Sequence, residues 1–170
     1  MLRSGRSIVV GVLFLLTACA GNDGPPPPCP EIFLVPDARE LVRFRGKDRD
    51  LTDVEFEARL GIAGSRCFYV EDEIESEIDV RLLAAQGPAD RDSSASFEYF
   101  VAVATREPRI LARESFGVTI PFEGNRTRVA LTDTITPRIP LGTDENGRNY
   151  QIYLGLVLSR EELSYNRANR

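Results

Sequence analysis

The sequence predicts an all-β protein: an antiparallel β-sandwich, immunoglobulin-like in general shape, with about seven or eight strands and a short C-terminal helix. Two observations support this prediction. Several segments alternate apolar and polar residues with a period of two, which is the pattern of half-buried strands. Turn signals rich in Gly, Asn, Asp and Pro separate these segments at the spacing of sandwich domains. A small β-barrel is the alternative, because a closed sheet gives the same pattern.

The first half of the chain begins with a short apolar run at residues 32–35, which predicts a first strand. Residues 37–45 are ambiguous, since they fit either a helical turn capped by Asp37 or an extended segment from residue 40. Residues 54–60 alternate strictly, which predicts a strand with one buried face. Residues 61–66 contain two glycines and predict a turn before a further strand at 67–70.

The next strand, at residues 74–84, carries a row of acidic side chains on one face. Its apolar residues point the other way, toward the predicted core. Three acids on an exposed face are typical of a strand near a sheet edge, where charge discourages the addition of another strand. The acids of that row are Glu75, Glu77 and Asp79.

The second half of the chain predicts a central strand, a hairpin and a final strand. Residues 97–105 are apolar on nearly both faces, which favours a central position in a sheet. Residues 109–122 point Phe116, Val118, Ile120 and Phe122 inward, and a hairpin turn at 123–125 leads into a return strand at 126–135. Residues 150–158 alternate as a last strong strand.

The C-terminal helix is predicted from a capping box. Ser159 followed by Glu162 can satisfy the first free N–H groups of a helix reciprocally, so a short helix is expected at residues 160–167. The polar residues Tyr165, Asn166 and Arg167 either dock a partner or cap a sheet, and we favour capping.

The N-terminus has the layout of a signal peptide. Arg3 and Arg6 form a basic start, residues 8–16 form an apolar run, and Thr17 and Ala18 supply small residues after it. The apolar run is about half the ~20 residues that span a bilayer, which argues against a transmembrane helix.

The segment Leu16-Thr17-Ala18-Cys19 resembles the lipobox of bacterial lipoproteins, with Leu three positions before an invariant cysteine. The resemblance implies cleavage between Ala18 and Cys19, and a diacylglyceryl group with a further acyl chain such as palmitate on Cys19. Because Ala20 is not Asp, it also implies the periplasmic face of the outer membrane in a Gram-negative cell. The strand pattern and the ending at 162–167 are generally similar to proteobacterial lipoproteins, a resemblance that implies no activity.

This anchor sets the expected domain organisation. Residues 1–18 are the predicted signal peptide, 19–31 the lipidated cysteine and a proline-rich tether, and 32–170 a single β-sandwich domain. Removing the signal leaves 152 residues, enough for one domain with a sizeable core. The prolines at 25–28 favour extended polyproline II, so the tether spans on the order of 30 Å.

The composition excludes several classes of function. Removing two arginines with the signal changes the net charge from −5 to −7, and an acidic chain with no basic run is a poor nucleic-acid binder. Histidine is absent, which excludes His-based catalytic triads and His-ligated zinc. We therefore predict no catalytic residue, no cofactor and no metal site.

Two cysteines remain after Cys19 is lipidated. In an oxidising compartment Cys29 and Cys67 most simply form a disulfide, which would close a loop of roughly 40 residues. Two unpaired thiols are the alternative. A metal site is less favoured, because two sulfurs without histidine leave a zinc shell half empty.

Three acidic stretches contain carboxylates that could suggest a metal site, but their patterns do not predict one. Residues 71–77 alternate between faces, so their carboxylates do not converge. Residues 48–53 fit a turn with local Asx hydrogen bonds, and residues 144–147 fit a turn with an Asn-Gly signal. The loop at 144–147 also lacks the regular oxygen ligands and terminal Glu of a twelve-residue calcium loop.

The resulting hypothesis is a non-enzymatic interaction or structural module, held in the cell envelope by its N-terminal lipid and open to an envelope protein partner. One alternative is a lipid- or glycan-binding carrier, which a cavity would favour and a filled core would disfavour. A second is a carboxylate-based hydrolase, which needs two acids facing each other across a cleft. The oligomeric state is left open.

Overall fold

The structure, a computed structural model, describes residues 25–46, 49–107 and 109–169. Within these residues the chain forms nine strands and one α-helix. In chain order they are β1 Glu31–Leu34, β2 Glu40–Phe44, β3 Val54–Val70, β4 Glu73–Gln86, β5 Ser94–Thr105, β6 Ile110–Pro121, β7 Arg128–Ile135, β8 Arg138–Pro140, β9 Tyr150–Leu156 and α1 Arg160–Ala168.

The strands form two separate sheets. The first has the order β1-β9-β5-β6, and the second has the order β2-β3-β4-β7, with β8 pairing with the other half of β4. All pairs are antiparallel except β1, which runs parallel to β9. Among the described strands, neither sheet closes on itself. The predicted sandwich is therefore confirmed, and these strands do not form the alternative barrel.

The inner faces of the two sheets make one continuous core. Strand β4 supplies Ile74, Ile78, Val80 and Leu82, all fully buried, as the alternation of its sequence predicts. Strands β5 and β9 supply the opposite wall, which includes Tyr99, Ile152, Leu154 and Leu156. Each fully buried aliphatic side chain of this kind stabilises the fold by about 1.5–3 kcal/mol.

The turn predicted at residues 61–66 is wrong, because β3 runs unbroken through it. Gly61 pairs with Arg81 and Gly64 pairs with Asp79, so both glycines belong to the β3–β4 ladder. The register shifts between Ile62 and Gly64, as it does at a β-bulge, which bends a strand without ending it. The two predicted strands are therefore one strand of 17 residues.

The acidic strand β4 lies next to the edge of the second sheet, as expected, but it is not the edge strand itself, so its charges do not guard an open edge. Strand β4 lies between β3 on one side and β7 and β8 on the other. Its acids are balanced by cross-strand arginines instead: Glu77 pairs with Arg66, and Arg138 lies 2.8 Å from Glu75 and 3.6 Å from Glu73. Opposite charges on neighbouring strands stabilise a sheet, and here they offset the repulsion among the acids of β4.

Strand β5 is central in the first sheet, as its two apolar faces predict. It lies between β9 and β6. Val101 and Val103 face the core, and the outward-facing Ala102 and Ala104 are buried as well. A strand buried on both faces has no need of polar alternation, which explains its sequence.

The turn at residues 123–125 does not close a hairpin. It leads from β6, which pairs with β5, to β7, which pairs with β4 in the other sheet. The short strand β8 also differs from expectation, since Pro137 and Pro140 favoured an irregular segment. Pro140 stands at the last position of β8, where a missing N–H is tolerated.

Helix α1 is confirmed, together with its cap. The Ser159 hydroxyl accepts from the Glu162 N–H, and the Glu162 carboxylate accepts from the Ser159 N–H. The Asn166 side chain donates to the carbonyls of Asp37 and Glu40 at 2.9 and 2.7 Å, and the Arg167 guanidinium pairs with Asp37. The C-terminal residues thus cap the β2 edge of the second sheet, as favoured from the sequence.

In the described part of the chain, no helix combines the length and apolar character needed to cross a bilayer.

Candidate functional site

The first described residues of the chain are fixed to the sandwich at a site that we call the N-terminal junction. It consists of Pro28, Cys29, Cys67, Tyr69 and Gly147. Cys29 and Cys67 form a disulfide with their Cα atoms 5.8 Å apart, so the predicted pair is confirmed. Because Cys67 lies within β3, the bond ties the segment just before β1 to a strand of 17 residues.

Tyr69 joins three segments at this junction. Its hydroxyl donates to the Pro28 carbonyl at 2.7 Å and accepts from the Gly147 N–H at 2.7 Å. Two otherwise free backbone groups are thereby satisfied by one partly buried hydroxyl.

Gly147 is at this position because the backbone of residues 28–30 passes too close for any side chain. A Cβ on Gly147 would lie 2.1 Å from the Pro28 carbonyl oxygen. The Asn-Gly turn signal therefore has a packing reason as well. Asn146 caps the short 3-10 turn that Gly147 begins, accepting from the Arg148 N–H and donating its own N–H to Asn149.

The lipidation site predicted at Cys19, the cleavage site between Ala18 and Cys19, and the segment Leu16-Thr17-Ala18-Cys19 lie outside the described residues. So do residues 19–24 of the predicted tether, and the tether stays a prediction. Its described end contacts the sandwich, since Pro28 accepts the Tyr69 hydrogen bond and Pro30 is buried.

A second feature, which we call the β6–β7 groove, opens between the edges of the two sheets. It has a volume of about 580 Å³. The buried side chains of Val101 and Val103 contribute an apolar lining from β5. Other lining residues come from β6 and from the β7–β8 segment of the opposite sheet, and they include Ala112, Arg113, Glu114, Phe116, Asp133 and Arg138.

A hydrogen bond between the sheets lies beside this groove. The hydroxyl of the fully buried Tyr99 donates to Asp133 Oδ2 at 2.7 Å, and its ring stacks on Phe116 with centroids 5.1 Å apart. Burial raises the pKa of Tyr99 above its usual value, and the hydrogen bond that Tyr99 donates to Asp133 and the negative charges of Asp133 and Glu114 raise it further. Tyr99 is therefore a neutral donor at physiological pH.

Two carboxylates, Glu114 and Asp133, line this groove without a basic partner. Among the described residues, no arginine lies within ion-pair distance of either. Two arginines also line the groove, but both are engaged elsewhere. Arg138 pairs with Glu75 and Glu73, and Arg113 lies over the Phe100 ring. Glu114 and Asp133 are therefore the lining carboxylates that lack an ion-pair partner in the described part of the chain. Glu114 is exposed and Asp133 half-buried, so they are not a buried acid pair.

This groove was not predicted from the sequence, although one signal was present. With Phe116, Val118 and Ile120 facing inward, the same alternation turns Glu114 inward too. A charged residue at an inward-facing position indicates a part of the strand that the opposite sheet does not cover. Asp133 could not be matched to it, because the two residues lie in different sheets.

The acidic loops are explained by local hydrogen bonds. The Asp50 carboxylate accepts from the Thr52 N–H and hydroxyl at 2.9 and 3.0 Å, which lower the pKa of Asp50. The Glu145 carboxylate accepts from the Tyr150 hydroxyl at 2.6 Å and the Gly142 N–H at 2.7 Å, which lower the pKa of Glu145. The local-turn interpretation of both stretches is consistent with these contacts.

Comparisons with known proteins add no family to these observations. No protein-family model matches the chain, and no curated protein matches it. Among solved structures, it is similar to the variable domain of the AgI/II polypeptide BspA of Streptococcus agalactiae, with 13% sequence identity and a TM-score of 0.18. That similarity covers 74% of this chain and 77% of the other. A TM-score this low carries no argument about fold or function.

Proposed function

We propose that the protein is a lipid-anchored, non-enzymatic interaction module of the cell envelope. Lipidated Cys19 holds it at the periplasmic face of the outer membrane of a Gram-negative cell, and the folded domain contacts an envelope protein partner. The observation that carries the proposal is the N-terminal junction. There, the chain that follows the predicted lipobox and tether is attached to the sandwich by the Cys29–Cys67 disulfide.

The chemistry of the junction supports an extracytoplasmic location. Disulfides form and persist in oxidising compartments such as the bacterial periplasm and are rare in the cytosol. A signal peptide ending in a lipobox directs a chain to the same compartment. The two features come from different parts of the chain and favour one destination.

The filled core supports an interaction module over a carrier. The buried side chains of both sheets form one continuous cluster. A lipid carrier needs an interior space of several hundred Å³ lined by apolar side chains. The β6–β7 groove instead lies at the edges of the sheets and presents carboxylates beside its apolar surface.

Metabolic labelling with a radioactive fatty acid tests the anchor. The wild-type chain and a matched Cys29→Ser variant should both carry label and sediment with the membrane fraction, whereas Cys19→Ser should carry none. The Cys29 variant controls for the loss of a thiol elsewhere in the chain. Label on Cys19→Ser, or its retention in membranes after a high-salt wash, would contradict lipidation at this residue.

The destination and the partner need separate measurements. Separating inner and outer membranes on a density gradient should place the wild-type chain in the outer membrane and an Ala20→Asp variant in the inner membrane. Crosslinking in intact cells, followed by purification of the chain, should recover one abundant envelope protein. Recovery of lipid with no protein would favour the carrier alternative instead.

A further inference from the structure

The sheet edges of this protein are protected unequally. Helix α1 covers the β2 edge through Asn166 and Arg167, and β1 is an edge of only four residues. Strand β6 is an edge of 12 residues that hydrogen-bonds to β5 alone in the described part of the chain. An edge strand of this length presents a row of unpaired N–H and C=O groups, which is a template for another strand.

The uncovered part of β6 borders the β6–β7 groove. Every residue from 110 to 115 is exposed, and Ile110 and Leu111 are 64% and 46% exposed. Since neighbouring residues of a strand point to opposite faces, both faces of this half of β6 lack full cover. On the inner side, Ala112, Glu114 and Phe116 line the groove together with the β5 valines.

The charge in the groove favours a basic occupant. Glu114 and Asp133 lack basic partners among the described residues, and their negative charges both act on the Tyr99 hydroxyl. The groove thus offers three complementary features: backbone hydrogen-bonding groups along β6, the apolar surface of Val101 and Val103, and two unmatched carboxylates. An extended peptide with a basic side chain supplies the complement of all three.

We propose that the β6–β7 groove binds an extended segment of a partner polypeptide, which adds to the first sheet as a strand along the β6 edge. One Lys or Arg side chain of the segment points to Glu114 and Asp133. Apolar side chains two positions before and after it pack on the groove lining. This deepens the proposed function by naming the chemistry of the partner, but binding at the groove does not require the lipid anchor.

A synthetic peptide with the sequence Ser-Val-Thr-Lys-Thr-Val-Ser, acetylated and amidated at its ends, tests the proposal on the purified full-length protein. Fluorescence anisotropy of the labelled peptide should show saturable binding that weakens as salt is added, because the charge contact is screened. A peptide with Glu in place of Lys should bind at least about tenfold more weakly, since like charges then face each other.

Charge variants of the protein locate the site. Glu114→Gln should weaken binding of the Lys peptide by about threefold, which is typical of losing one partly exposed ion pair. The matched control is Glu98→Gln, an exposed acid on the outward face of neighbouring β5 with no arginine in ion-pair distance. It should bind as the wild type does, and unchanged circular dichroism should show that both variants are folded.

Backbone methylation of the peptide distinguishes strand addition from binding in the groove without backbone hydrogen bonds to β6. Alternate N–H groups of an added strand face β6, so N-methylation of one alternate set should abolish binding while methylation of the other set leaves it unchanged. Hydrogen exchange should slow at alternate amides of residues 110–116 when peptide is bound.

Three results with the peptides would overturn the proposal: no saturable binding of the Lys peptide, equal binding of both N-methylated sets, or protection of amides elsewhere but not in β6. A concentration-dependent dimer that protects the β6 amides without binding peptide would assign the edge to a second copy of the chain, which also overturns it. Failure here with normal labelling of Cys19 would leave the lipid-anchored function standing. Binding here with no labelling would remove the anchor alone.

Discussion

The hydroxyl of Tyr99, on one sheet, donates a 2.7 Å hydrogen bond to the carboxylate of Asp133, on the other. Tyr99 is fully buried and Asp133 is half-buried at the groove between the sheet edges. The bond therefore holds the sheets together at the side where β6 and β7 diverge. A hydrogen bond to a charged acceptor contributes more to stability than a neutral one.

Removing this bond should destabilise the fold measurably. Tyr99→Phe keeps the ring stacked on Phe116 and deletes only the hydroxyl, so the free energy of unfolding should fall by about 1.5–3 kcal/mol. Urea denaturation at neutral pH measures the loss. The matched control is Tyr153→Phe, whose hydroxyl bonds only the Gln151 side chain on the outward face of β9 and should cost less than about 0.5 kcal/mol. Equal losses for the two variants would contradict the role given to the Tyr99 bond.

Stability should decline on the alkaline side through the tyrosines. Burial raises the pKa of Tyr150 to about 12, with the hydrogen bond and charge of Glu145 adding to the shift. The folded state thus holds the phenol proton more tightly than the unfolded state, in which the pKa is about 10. The stabilisation is complete below about pH 10 and is lost as the pH rises toward about 12.

Denaturation at a series of alkaline pH values checks this decline, and absorbance of tyrosinate follows the ionisation directly. Tyr150→Phe should flatten the curve, because it removes one of the titrating groups. Lys47 is the sole lysine, so lysine ionisation contributes little to the curve. A curve of unchanged slope in the variant would show that Tyr150 does not carry the effect.

The Cys29–Cys67 disulfide should contribute strongly to stability. The two cysteines are 38 residues apart. The chain-entropy model gives about 4 kcal/mol for a loop of this length, an upper value because native strain subtracts from it. The double variant Cys29→Ser/Cys67→Ser should lose about 2–4 kcal/mol relative to the oxidised wild type. Reduced wild type is the control and should match the variant; a reduced protein as stable as the oxidised one would disprove the contribution.

Gly147→Ala should destabilise the N-terminal junction. Its new Cβ would overlap the Pro28 carbonyl, so residues 28–30 or the loop must move, at a cost of about 1–3 kcal/mol as for overpacking elsewhere. Thermal unfolding and hydrogen exchange of the Gly147 region measure the effect. Gly117→Ala is the matched control, because nothing lies within 4 Å of the position of its Cβ and β6 is exposed there. A Gly147 variant as stable as the control would contradict the close approach.

Asn166→Ala should expose the β2 edge. It removes two hydrogen bonds to backbone carbonyls, which leaves the Asp37 and Glu40 oxygens without this donor and costs about 1–2 kcal/mol. Asn169→Ala is the control, since the Asn169 side chain donates only to the Tyr165 carbonyl of its own helix. Urea denaturation compares the two, and faster hydrogen exchange in β2 should accompany the Asn166 change alone.

The sequence predicted elements best where one residue pattern determined them. Residues 54–60 alternate strictly and residues 74–84 largely so, and they form parts of β3 and β4, while the Ser159–Glu162 cap begins α1. The prediction failed where a local signal was overridden by pairing. Gly61 and Gly64 resemble turn residues, but the β4 ladder holds them in a strand and absorbs the irregularity in a bulge.

Other features depend on which strands become neighbours, which residue types do not encode. The turn at 123–125 is compatible with either a hairpin or a crossing between sheets, and strand pairing decides between them. The same holds for the functional sites. Cysteine counting was enough to pair Cys29 with Cys67. The roles of Tyr69 and Gly147, and the placement of Glu114 and Asp133 in one groove, required the fold, because each joins segments distant in sequence.

The N-terminal junction also determines how the domain would respond to a mechanical load. A pull on the residues before Cys29 passes through two sulfur atoms into Cys67, within the 17-residue strand β3. The four-residue strand β1, which follows Cys29 and pairs among the described strands with β9 alone, is bypassed. Tension therefore acts on the long β3–β4 ladder and not on the weakest edge of the sandwich. A force applied to the domain at Cys29 would therefore not begin to unfold it at β1.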